Sequence, residues 1–226
     1  MKPPEPQRRL SFYRRLSAAQ KREYDRSDAR RTLPLAPHPA LGRMTDDVVE
    51  GLASGSTAKV RGAAQRLVEA ICGSLARLAR RRSASAPAVK VLRTRPRLAD
   101  SEFHGLYSRF ENGDSEIKVW MLTAAHGQIV RPRTFLRTLL HEVCHHVDMT
   151  LLDLPHSLHT LGFHARESSL LRVLEKSGGH VPGGRQSPPP RSSVGPQAVA
   201  PGGAQLELFN RPTARSSSGR RRGRGD

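Results

Sequence analysis

His141-Glu142-Val143-Cys144-His145 closes the run Phe135-Leu136-Arg137-Thr138-Leu139-Leu140 and opens the run His146-Val147-Asp148. This stretch decides the reading of the chain. Phe135, Leu136, Leu139, Leu140, Val143, Val147, Leu151 and Leu152 recur at helical spacing, which predicts a buried amphipathic helix. Pro132 sits where a first helical turn tolerates proline. On that helix His141 and His145 lie at i and i+4, on one face, so two imidazoles can address one metal ion. Glu142 leans over the same region and can take a proton from a water that the metal activates. Asp148 is seven residues past His141, back on the histidine face, and is placed to orient a ligand imidazole from behind.

A catalytic zinc ion takes three protein ligands and keeps one position for water. Downstream, Pro155 breaks the helix and lets the chain turn back. The candidates for a third ligand are His156, His159, His164 and Glu167. A second helix is expected from about 161 to 176, with Leu170, Leu171, Val173 and Leu174 as its apolar set. Gly178 and Gly179 end it.

The His-Glu-x-x-His helix is followed by a return loop with a histidine four residues before a phenylalanine. That arrangement resembles the SprT-like zinc metallopeptidases, in which the third ligand comes from His-Gly-x-x-Phe. The matching residues here are His159 and Phe163, with Thr160 in place of the glycine and Gly162 just before the phenylalanine. The resemblance implies a zincin-like fold, Zn²⁺ on His141, His145 and His159, and Glu142 as the catalytic base. His164 and Glu167 stay open as alternative ligands. It also implies cleavage of proteins bound or crosslinked to DNA.

Upstream of the motif, Val60, Ala64, Leu67, Val68, Ile71, Leu75 and Leu78 mark a helix from Ser56 to about Arg82. Ser56 or Thr57 can cap it. Strands are expected at 88–93, 106–110 and 116–122, the last two joined through Asn112-Gly113, a strong turn signal. In zincin-type peptidases a strand beside the cleft pairs with extended substrate, and the strand just before the motif helix is the candidate. The expected architecture is a small α+β domain over 56–178: helix, short antiparallel or mixed sheet, motif helix, second helix.

The flanks differ in composition. Of 226 residues, 38 are Lys or Arg against 20 Asp or Glu, a formal charge of +18; residues 1–32 and 177–226 each carry +6. Such flanks are drawn to polyanions, with DNA the obvious partner. In residues 7–31, Leu10, Tyr13, Leu16 and Tyr24 interleave with arginines, which fits either a solvated, partly helical arm or tyrosines stacking on bases. Residues 32–55 hold Pro34, Pro37 and Pro39 and read as a linker that completes the N-terminal segment 1–55. Residues 179–226 read as a disordered basic tail.

Within that tail, Gln205-Leu206-Glu207-Leu208-Phe209 resembles the bacterial sliding-clamp-binding peptide, Gln-Leu-Ser/Asp-Leu-Phe, with Glu207 as the one departure. The resemblance implies that Gln205, Leu206, Leu208 and Phe209 contact the clamp. Cys72 and Cys144 sit inside predicted helices, as expected of reduced core residues in the cytoplasm, and two cysteines cannot build a second four-cysteine zinc site. No secretory h-region and no apolar run of membrane-spanning length is expected. Two rival functions fit less of the sequence: a non-catalytic adaptor with a structural metal, and a regulatory peptidase that cuts one repressor. Glu142 disfavours the adaptor, because a structural site has no use for a base there.

Overall fold

A computed structural model describes residues 10–81, 85–94, 105–123 and 126–182. Among these residues the fold is α+β: five α-helices and one three-stranded mixed sheet. The helices are α1 (Ala18–Ala29), α2 (Pro39–Ala53), α3 (Thr57–Leu78), α4 (Pro132–Thr150) and α5 (Leu161–Lys176). The strands are β1 (Ala88–Leu92), β2 (Gly105–Arg109) and β3 (Ser115–Trp120), in the order β1-β3-β2. β1 runs parallel to β3, with Val89 opposite Ile117, and β2 runs antiparallel, with Tyr107 opposite Ile117.

Local chemistry explains the boundaries. Ser56 caps α3 by accepting from Lys59 N–H (3.3 Å), and α3 ends where Arg80 turns to φ 56°. The β2–β3 turn holds Gly113 at φ 89°, a conformation that glycine adopts without penalty. Alternation along the strands puts Val89, Val91, Tyr107, Ile117 and Val119 on one face. That face packs on α3 and α4, where Leu67, Val68, Ile71, Leu136, Leu139, Leu140 and Val143 complete the core.

Three expectations are corrected. The linker at 32–55 is replaced by α2, which packs on α3 and belongs to the core. Pro39 is the first residue of α2, where proline is pre-shaped for a helix, and His38 caps it by accepting from Ala40 N–H (3.2 Å). Leu41, Thr45, Val48 and Leu52 form the buried stripe of that helix. The basic segment before it is also folded: α1 docks on α5, and Tyr24 is 1% exposed. It packs with Leu16 and Leu158, edge-on to Phe12 and Tyr13, so it cannot stack on a base. Finally, β3 is the central strand, its backbone shared between β1 and β2, so the edge nearer the motif helix is β2. The clamp-like residues Gln205, Leu206, Leu208 and Phe209 lie outside the described residues. Among the described residues no helix is long and apolar enough to cross a membrane.

Candidate metal centre

α4 delivers His141 and His145 from one face, as the i, i+4 spacing requires, while Leu136, Leu139, Leu140, Val143 and Val147 bury the opposite side. The chain then reverses through residues 151–160, with Asp153 at φ 53° and Ser157 at φ 41°. This return sets His159 against the first two histidines. His159 Nε2 lies 3.1 Å from His141 Nε2 and 3.1 Å from His145 Nε2. Phe163, from the first turn of α5, is the floor beneath all three, its ring centroid 4.8–4.9 Å from each imidazole.

Two residues that depart from the resembled motif have structural work. Thr160 caps α5 by accepting from Phe163 N–H (3.0 Å) and meets Ser27 Oγ of α1 at 3.1 Å. Gly162 lets α1 approach: a Cβ there would meet Asp28 Cα at 2.7 Å and collide with the Ser27 carbonyl. Its N–H donates to Asp28 Oδ1 (2.8 Å), so α1 supplies an anion to the N-terminus of α5.

The groups behind the histidines fix their tautomers. His141 Nδ1 donates to Glu167 Oε2 (3.1 Å), whose other oxygen pairs with Arg137. Burial works to raise the Glu167 carboxyl, but hydrogen bonds from His141 and His164 and the charge of Arg137 hold it far below the usual carboxylate range. His145 Nδ1 faces Ser157 Oγ at 2.8 Å, and Ser157 gives its own proton to Asp148 Oδ2 (3.1 Å). The serine oxygen is left to accept, so His145 carries its proton on Nδ1. Asp148 is fully buried and pairs through both oxygens with Arg166 Nη2 at 2.9 Å. Burial pushes its carboxyl up to about 6 against the opposing charge of Arg166, so it stays ionised at neutral pH.

The donor set fits a metal ion. With Nδ1 of His141 and His145 turned to their outer partners, both Nε2 atoms face His159 Nε2. Zn–N bonds of about 2.0–2.1 Å at tetrahedral angles place neighbouring nitrogens about 3.3 Å apart, close to the observed spacing. Burial, and then the neighbouring imidazoles, hold His145 well below the usual histidine range, and the same causes lower His159 to about 3. Both are therefore neutral and able to ligate. For His141 burial acts downward, but the hydrogen bond from Nδ1 to Glu167 and the charges of Glu142 and Glu167 raise it overall.

A second group, His141, His164 and Glu167, also brings its ligand atoms within 4.8 Å of one another. It uses His141 through the opposite nitrogen, and Glu167 is already engaged by Arg137. His164 is a looser neighbour, 3.5 Å from Glu167 Oε2 and stacked on His159 at 5.8 Å. His156 turns away to Glu23, at 2.5 Å. His146 is buried behind the site against Tyr107 Oη (3.2 Å).

Glu142 is 5% exposed and lies under the edge of β2. The Tyr107 backbone N–H is bonded to its carboxylate, and Gly105 packs directly on it; a Cβ at Gly105 would meet Glu142 Cγ at 2.8 Å. Burial raises the Glu142 carboxyl to about 7, against the lowering effects of His141 and that backbone N–H. Sequence reasoning missed Gly105, Ser157 and Arg166. Arg166 had a signal, since it falls on the apolar stripe of α5 with Phe163 and Leu170. No protein-family model, curated protein or solved structure matches this chain.

Proposed function

We propose that the chain is a zinc-dependent metallopeptidase of the SprT-like, zincin-like kind, acting on proteins associated with or crosslinked to DNA. The observation that carries this reading is the convergence of three imidazole nitrogens beside the buried carboxylate of Glu142. His141, His145 and His159 hold the ion. When bound, the ion supplies Lewis acidity to a water and to a peptide carbonyl. Glu142 takes a proton from the attacking water and returns it to the leaving amine, a cycle that works best for a group whose pKa lies near the working pH. Among the described residues β2 is an edge strand, and its backbone beyond Tyr107, whose N–H Glu142 takes, would pair with an extended substrate chain. Phe163 and the buried underside of α4 keep bulk water from the ligand side.

The partners follow from the flanks. Basic segments at both ends draw the enzyme to DNA, and the motif at Gln205–Phe209 tethers it to the sliding clamp through Leu208 and Phe209. Titration of a peptide spanning 202–212 against purified clamp tests the tether. Absence of saturable binding at micromolar concentration removes it.

Glu142→Gln keeps the shape and removes the base. We expect the variant to retain zinc while cleavage of an unfolded protein, measured with and without single-stranded DNA, falls at least about 100-fold. Undiminished cleavage by that variant rejects the mechanism.

A further inference from the structure

We propose that Ser157 is the positioning residue for His145: it passes the charge of Asp148 to the imidazole and so keeps the His145 Nε2 lone pair aimed at the metal position. The proposal rests on the three-histidine metal centre described above and goes beyond it in naming what sets the centre's donor geometry.

The chain of contacts is continuous and buried. His145 Nδ1 meets Ser157 Oγ at 2.8 Å, Ser157 Oγ donates to Asp148 Oδ2 at 3.1 Å, and Asp148 meets Arg166 Nη2 at 2.9 Å. Ser157 is 1% exposed, and Asp148 and Arg166 are fully buried. Arg166 in turn reaches α1: Nη1 donates to the Ser27 carbonyl (2.8 Å) and to that of Arg30, and Nη2 to Ser27 Oγ (3.1 Å). The carbonyls at the end of α1 thus hold Arg166, and Arg166 holds Asp148. The N-terminal segment is part of the metal centre's frame.

The Ser157 hydroxyl can donate in either direction along this chain, and the tautomer of His145 follows it. An ionised carboxylate only accepts, so it draws the serine proton, and the serine oxygen must then accept from His145. The polarity of the whole chain is set at Asp148. An amide at 148 reverses it. Its oxygen faces Arg166, its NH₂ donates to Ser157, and Ser157 then gives its proton to His145 Nδ1. The histidine proton moves to Nε2, where it blocks the metal. Removing such outer partners of a ligand histidine typically weakens metal binding by about 10–100-fold.

The test uses the full chain, ¹⁵N-labelled and metal-free, at mildly alkaline pH. Imidazole nitrogen shifts report which nitrogen of His145 carries the proton, and competition with a chromophoric chelator reports zinc affinity. In the wild type we expect the proton on Nδ1. In Asp148→Asn we expect it on Nε2, with zinc affinity lower by about 10–100-fold. Ser157→Ala leaves the Asp148–Arg166 pair intact and serves if the first variant fails to fold; we expect a mixture of tautomers and a comparable loss of affinity. A wild-type proton on Nε2 overturns the proposal. So does weakened zinc binding with an unchanged tautomer, which marks a merely structural role, or a changed tautomer with unchanged affinity. Neither readout uses peptide cleavage. A wild type with the expected tautomer and zinc affinity but no proteolysis fails the peptidase reading alone.

Discussion

His141 and His145 lie one turn apart on α4, yet their outer nitrogens meet different surroundings. His141 donates directly to Glu167, whose partner Arg137 is about one-third exposed. His145 reaches a carboxylate only through Ser157, and that carboxylate and its arginine are sealed from solvent. The first arrangement is a charged pair at the rim of the site, cheap to form because water still reaches one partner. The second is a buried ion pair held by the hydrogen bonds around it; among the described residues Arg166 Nε–H is the buried side-chain donor without a partner. The rim holds one imidazole locally, whereas the buried side ties the other to α1, more than 130 residues away in sequence.

The largest expected effect breaks the buried side. Arg166→Leu leaves Asp148 as an uncompensated buried charge and should cost about 3–5 kcal/mol in denaturant unfolding. Glu167→Gln keeps an acceptor for His141 and loses only the rim charge, so about 1 kcal/mol is expected. Equal costs for the two variants would erase the distinction between the two sides.

A smaller effect sharpens the comparison by leaving both ligand supports alone. Gly105→Ala pushes a methyl group into Glu142 from β2. Displacing a reacting group by about 1 Å can cost roughly 100-fold in rate. Cleavage should fall on that scale while zinc content and the His145 tautomer stay as in the wild type. Loss of zinc in this variant would mean that β2 supports the ligands as well as the base.

The same contrast explains what the sequence made legible. α4 carries its own evidence: the two histidines, the glutamate and the apolar stripe all fall within one helix, and periodicity reads such a unit directly. The β2–β3 turn was equally local, announced by Asn112-Gly113. Asp148 lies behind His145 but reaches it only through Ser157, which depends on a loop conformation with φ 41° that no local pattern announces. Arg166 and Gly162 make sense only once α1 is known to dock more than 130 residues away in sequence. α2 was legible in part. Its stripe at 41, 45, 48 and 52 is helical, and it was obscured by reading the nearby prolines as breakers, although Pro39 starts the helix.

The central claim is that His159 completes the metal site with His141 and His145. Zinc content per chain, measured by mass spectrometry of elements on purified wild type, His159→Ala and His164→Ala, tests it most directly. The account predicts about one zinc in the wild type and in His164→Ala, and little or none in His159→Ala. Full zinc in His159→Ala together with its loss in His164→Ala would contradict the account and move the metal to the face formed by His141, His164 and Glu167.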